Sequence, residues 1–291
     1  MPFDNSRVDT VGVDDRRGQG LRSPIVIGGG GAGVVGVLLY LLVSVLAGGD
    51  LSALTSSETS TSSHGVSDLA TRCNTAGAID RYDDCYVVKS YNEINEVWAA
   101  DLQRRSQPYR QPTLVFFEQA VQTGCGTASS TVGPFYCPLD QAVYIDLGFL
   151  AQLQRQFGAN GRYAQTYIVA HEIGHHLQTL LGTERQVAAM RQRDPSKERA
   201  LSIAIELQAD CYAGVWSTLA NQAGNYSIAE AQLDEALNAA AAVGDDRIQQ
   251  KVDGRIDPEA WTHGSSAQRR GWFLTGFRSG RLESCDTFAS N

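Results

Sequence analysis

The stretch Tyr167–Gln178, reading YIVAHEIGHHLQ, constrains this chain more than any other. Ile168, Val169, Ile173 and Leu177, with Leu180 beyond, recur at helical rather than alternating spacing, so the segment reads as a helix with one buried face. Four residues turn a helix by about 400°, so His171 and His175 project from one side, a turn apart. Two imidazoles so placed can grip one Zn²⁺ through ring nitrogens at about 2.0–2.1 Å. Glu172 is offset by about 100° from His171, beside such a metal rather than on it. There its carboxylate can take a proton from metal-bound water and hand it to a leaving amine. This is the H-E-x-x-H pattern of zinc peptidases, which carries weight only on an amphipathic helix.

A catalytic zinc takes three protein ligands and keeps a fourth position open. Glu206–Trp216, reading ELQADCYAGVW, offers the third ligand in Glu206, far enough behind His175 for a turn and an antiparallel helix. Asp210, four residues on and on the same face, is the candidate acceptor for the free ring N–H of a ligating histidine. Leu207, Ala209, Tyr212, Ala213 and Val215 make this helix largely apolar, which argues against an ordinary exposed acidic pair. His263, in WTHGSS before a final helix, is the candidate donor to the oxyanion formed when water attacks a carbonyl. Arg269 and Tyr212 compete for that role. The blander reading of His263 is a residue flanking a helix cap made by Ser265 or Ser266. His176 points about 100° away from its neighbour and reads as a supporting or surface residue. His64 reads as inert.

With a net charge of -8 and a pI near 5.1, the chain has no broad basic surface for phosphate backbones, so no nucleic-acid partner is expected. Ile25–Ala47 carries no charged residue. At 1.5 Å per residue about 20 apolar residues cross a hydrocarbon core of about 30 Å, so this run is long enough to span. It exceeds the roughly 7–15-residue apolar region of a signal peptide, and a polar stretch precedes it; an uncleaved span is the expectation. Arg7, Arg16, Arg17 and Arg22 precede the run, whereas the first basic residue after it is Arg72. The N-terminus is therefore expected in the cytoplasm and the remainder outside. Cys73, Cys85, Cys125, Cys137, Cys211 and Cys285 all follow the run, where disulfides persist. Six cysteines allow fifteen connectivities. Short-loop closure favours Cys73 with Cys85 and Cys125 with Cys137, leaving Cys211 for Cys285. No C-x-x-C pair suggests a cysteine zinc site.

The expected organisation is a disordered cytoplasmic tail over 1–24, a span over 25–47, a Ser/Thr-rich linker over 48–67, and one domain over 68–291. Within the domain, 113–118 and 142–146 have strand composition, and 92–106 has helical spacing. Helices are expected at roughly 147–157, 163–181, 197–222, 227–242 and 265–282. A small antiparallel or mixed sheet followed by packed helices is an α+β fold. Ala142–Asp146 is a candidate edge strand beside the cleft, where an extended peptide could pair.

HEIGHHLQ, ELQADCYAGVW and WTHGSSAQRRGWFLTGF together resemble the putative neutral zinc metallopeptidases of bacteria. The GVDDRRGQG segment, the apolar run and GPFYCPLDQAVYIDL extend the resemblance over nearly the whole chain. It implies a zincin-like fold and bacterial membrane anchoring, and it names no substrate. No motif departure removes a metal ligand. The expectation is a single-pass, membrane-anchored zinc peptidase acting outside the cytoplasm on a peptide or protein. The competing reading is a non-catalytic envelope adaptor that keeps zinc or binds peptide. A structural zinc, however, usually takes four protein ligands and needs no base beside them.

Overall fold

Two short runs of β-branched and aromatic residues form the centre of a mixed sheet: Thr113–Phe116 (β2, TLVF) and Ala142–Ile145 (β6, AVYI). They run parallel, with Thr113 opposite Ala142 and Phe116 opposite Ile145. Both are buried almost throughout, as parallel strands covered on both faces are. Phe135–Cys137 (β5) adds antiparallel to β6, and Val13–Asp15 (β1) adds parallel to β2, giving the order β1-β2-β6-β5. Ala142–Asp146 is therefore an inner strand and not the expected edge; β1 and β5 are the edges. Ala120–Thr123 (β3) and Gly126–Ser129 (β4) form a separate antiparallel pair.

The computed structural model describes residues 3, 8–18, 66–157, 161–224, 226–252 and 254–289. The apolar run 25–47, His64 and the linker up to residue 65 lie outside the described residues. Among the described residues no helix is long and apolar enough to cross a membrane. The expected disordered tail is different in part: β1 belongs to the domain's sheet, and Phe3 and Val8 are buried in its main core. Asp14 and Asp15 hide this strand from a composition reading, because carboxylates are depleted in strands. Their charges are instead met by Arg16 and Arg17.

Helices make up the rest. Before β2 come Val66–Cys73 (α1), Ala78–Arg81 (α2) and Asp83–Arg104 (α3). After β6 come Leu147–Phe157 (α4), Arg162–Leu181 (α5), Thr183–Arg193 (α6) and Glu198–Ala223 (α7). Glu230–Ala242 (α8), Asp245–Val252 (α9) and Ser266–Ser279 (α10) complete the set. The chain is thus α+β, with a small sheet and a mostly helical second half. Helices α1, α2, α6 and α9 were not anticipated; α6 is largely polar, and α1, α2 and α9 are each about two turns or shorter.

Helix α7 packs against both α5 and α10. At the α7–α10 crossing a Cβ on Gly276 would collide with the Cys211 carbonyl, so the two backbones touch. The core on this side includes Trp98, Trp216, Tyr163, Tyr167 and Phe273, all essentially inaccessible. A smaller cluster of Val115, Phe117, Val121 and Tyr144 covers the other sheet face. Disulfides join Cys73 to Cys85, Cys125 to Cys137 and Cys211 to Cys285, the pairing that short loops favour. The last ties α7 to the segment after α10.

Candidate metal centre

Helices α5 and α7 approach closely where α5 carries Gly174. A Cβ there would sit 3.0 Å from the Ala209 carbonyl oxygen and 3.1 Å from its Cα. That approach brings the three expected ligands together. His171 Nε2 lies 3.2 Å from Glu206 Oε2, and His175 Nε2 lies 3.6 Å from Glu206 Oε1. The two rings stand nearly perpendicular, at 89°, with centroids 4.8 Å apart. One donor atom from each residue falls within 4.8 Å of the others.

These separations suit one ion. Donors about 2.0–2.2 Å from a tetrahedral zinc lie about 3.3–3.6 Å from one another, and two imidazoles with one carboxylate are a known catalytic set. The other such group among the described residues, Cys73, Asp84 and Cys85, contains a disulfide and offers no thiolate.

Each imidazole is held by its other nitrogen. His171 Nδ1 donates to Asp210 Oδ1 at 2.9 Å, the role expected of Asp210. Asp210 is wholly buried and also accepts from Tyr167 Oη. Arg269, 3% exposed, donates to both Asp210 oxygens, through Nε at 2.7 Å and Nη2 at 2.9 Å. Its Nη1 is bound to the Val243 carbonyl at 3.1 Å. Arg269 is therefore committed behind His171 and is not the free oxyanion donor considered from sequence. His175 Nδ1 donates to Gln178 Oε1 at 2.9 Å. The Gln178 amide in turn donates to Ile205 O and Gln208 Oε1, on α7. Both Nε2 atoms are thereby left facing Glu206.

Electrostatics reinforce the arrangement. Burial alone would lower the His171 pKa, but Asp210 and Glu206 outweigh it and push it up to about 9. His175 is also raised: Glu206 outweighs burial. Burial would raise Glu206, yet the two histidines hold it well below the usual carboxylate range. Asp210 is lowered by Arg269 and His171 against its burial. Glu172 moves the other way. It is 7% exposed, and burial raises its pKa despite the neighbouring histidines. One carboxylate is thus kept charged opposite the imidazoles, while the adjacent one is made more basic.

His263 precedes α10, whose N-cap is Ser265 in a capping box with Gln268. His263 Nδ1 lies 3.1 Å from Asp245 Oδ1, and its backbone N–H donates to Asp245 Oδ2 at 2.6 Å. Asp245 Oδ2 also accepts from the backbone of Thr262 and Gly264, so this carboxylate organises the whole WTHG turn. His263 is close enough to Glu206 to help hold it ionised. Tyr212 does not share the site; it is buried with its ring 6.3 Å from that of Trp98. His176 is fully buried, not a surface residue, bonded to Tyr136 Oη of β5 and to the Arg110 carbonyl. Sequence reasoning missed Tyr167, Gln178 and Asp245. Tyr167 lies one turn before His171 and Gln178 three residues after His175, so helical spacing could have found both. Nothing local pointed to Asp245.

A family model described as "putative neutral zinc metallopeptidase" matches residues 3–288. The uncharacterized protein YpfJ of Escherichia coli K12 is 38% identical over an alignment of 295 residues, covering 98% of this chain and 98% of that protein. The uncharacterized protein Rv2575 of Mycobacterium tuberculosis is 43% identical over 228 residues, 75% of each chain. No solved structure matches the chain.

Proposed function

Because the chain belongs to the family of putative neutral zinc metallopeptidases, we propose that it hydrolyses peptide bonds with a zinc ion held by His171, His175 and Glu206 and with Glu172 as the general base. One observation carries this reading. Three donors converge with spacing for a single ion, and a second carboxylate, that of Glu172, raised in pKa, stands beside them without being needed as a ligand.

Zinc bound there would polarise the substrate carbonyl and make water nucleophilic near neutral pH. The remaining work falls to the chain. Asp210 and Gln178 fix the tautomers and orientations of His171 and His175, keeping both Nε2 atoms forward. Glu172 Oε takes the proton that water gives up and returns it to the leaving nitrogen; its raised pKa makes it the stronger base for the first transfer. His263, anchored through Nδ1 by Asp245 and near enough to Glu206 to act on its charge, would donate to the oxyanion through Nε2. The outer edge of β5 offers backbone groups to an extended peptide, and the His176–Tyr136 bond couples that strand to α5.

The test is cleavage of a peptide library by purified protein as isolated, after chelation, and after zinc is restored. The proposal expects cleavage that chelation abolishes and zinc recovers. A zinc-replete protein that cleaves nothing would favour the adaptor reading.

A further inference from the structure

The segment before the apolar run is built into the domain that follows it. Asp9 and Asn92 of α3 exchange two bonds, Asp9 N to Asn92 Oδ1 and Asn92 Nδ2 to Asp9 O, each 2.9 Å. Leu114 N then donates to Gly12 O at 2.9 Å, opening the β1–β2 ladder that pairs Val13 with Leu114 and Asp15 with Phe116. Arg16 N continues it to Phe116 O at 2.8 Å, and Arg16 Nη1 reaches Gln122 O of β3. Arg17 closes the segment. Its guanidinium binds the buried Asp15 at 2.6 Å, bonds Asp84 of α3 at 3.0 Å and covers the Phe116 ring. Further back, Phe3 is 4% exposed and packs edge-on against Tyr226, with centroids 4.6 Å apart.

These contacts bear on where the chain lies. A strand cannot share a hydrogen-bonded ladder, with neighbours about 4.8 Å apart, across a hydrocarbon core of about 30 Å. Gly18 and Val66 must therefore lie on the same side of any bilayer. The sequence offers one uncharged apolar run there, 25–47, and each crossing takes about 20 such residues. That is enough for one crossing, not two. The arginines that set the expected orientation have another use: Arg16 and Arg17 are partners of Asp14, Asp15 and Asp84.

We propose that residues 3–18 and the domain carrying the metal centre occupy one compartment, and that the chain does not pass through a membrane between them. The N-terminal segment is then a permanent edge of the domain and not a cytoplasmic tail. This replaces the single-pass orientation that the arginine count favoured, and it does not depend on what the metal centre catalyses.

The test uses single cysteines in the full chain, since every native cysteine is disulfide-bonded. Val11 and Leu139 are each 76% exposed, one in the N-terminal segment and one in the domain, and V11C and L139C should fold normally. Spheroplasts expressing each variant are treated with a membrane-impermeant maleimide before and after permeabilisation, with the unsubstituted chain as the blank. The proposal expects the two thiols to behave alike, both labelled before permeabilisation or both only after it. One labelled before and the other only after would overturn it. A third variant, V13C, reports docking, because Val13 is 7% exposed. Its thiol should resist labelling until denaturant is added; labelling as fast as V11C would also overturn the proposal.

Discussion

Arg269 is the residue whose loss should separate the support of the site from its chemistry. Its guanidinium spans both oxygens of Asp210 at 2.7 and 2.9 Å, and both side chains are almost inaccessible. Replacing it with methionine keeps much of the apolar volume but leaves the Asp210 carboxylate buried with only Tyr167 and His171. Breaking one side of a buried ion pair costs about 3–5 kcal/mol. Part of that cost falls on the metal, because Asp210 would no longer be held against His171 Nδ1. Loss of an outer partner of this kind lowers metal affinity by about 10–100-fold. The assays are urea unfolding of the metal-free protein and zinc competition against a chromophoric chelator. Arg269→Met combined with Asp210→Leu should cost less than the two single changes added, since the double variant buries no lone charge. A single-variant cost below about 0.5 kcal/mol, typical of a surface position, or strict additivity, would refute the reasoning.

Three further outcomes follow. His263→Ala should lower kcat by about 10²–10³-fold, the usual effect of losing an oxyanion donor, with zinc content unchanged; loss of zinc instead would make His263 a support of Glu206. Gln178→Ala should weaken zinc binding by about tenfold or more without altering the fold by circular dichroism, and unchanged affinity would remove Gln178 as the orienting partner of His175. In the metal-free protein His171 has its pKa raised from 6.5 to about 9. Its contribution to stability is therefore fully present below pH about 6.5 and is lost as pH rises through about 9. The urea midpoint should fall over that window, and the fall should shrink in His171→Gln; an identical slope in both proteins would contradict the assignment.

The parts of this protein legible in its sequence are those whose signal is local and periodic. The spacing of His171, Glu172 and His175 on an apolar helix, and of Glu206 with Asp210 on another, pointed to the candidate metal centre, because helical geometry fixes which residues share a face. The long helices α5 and α7 were read to within about two residues of their ends, the usual uncertainty of helix boundaries. What stayed hidden depends on distant partners. Strand β1 is acidic and lies far in sequence from β2, and only the ion pairs to Arg17 and the ladder to Leu114 and Phe116 make VDD a strand. Ala142–Ile145 looked like an edge because nothing in its composition reports β5 on one side and β2 on the other. Asp245 orders the His263 turn from a different helix, and a lone carboxylate at the start of α9 otherwise reads as an ordinary favourable charge at a helix N-terminus.

The central claim is that Glu172 moves the proton while His171, His175 and Glu206 hold the metal. Glu172→Gln tests it most directly, because the amide keeps the shape and cannot act as a base. The account predicts zinc bound at the wild-type stoichiometry with peptide cleavage abolished. Cleavage undiminished in a zinc-replete Glu172→Gln protein would contradict it.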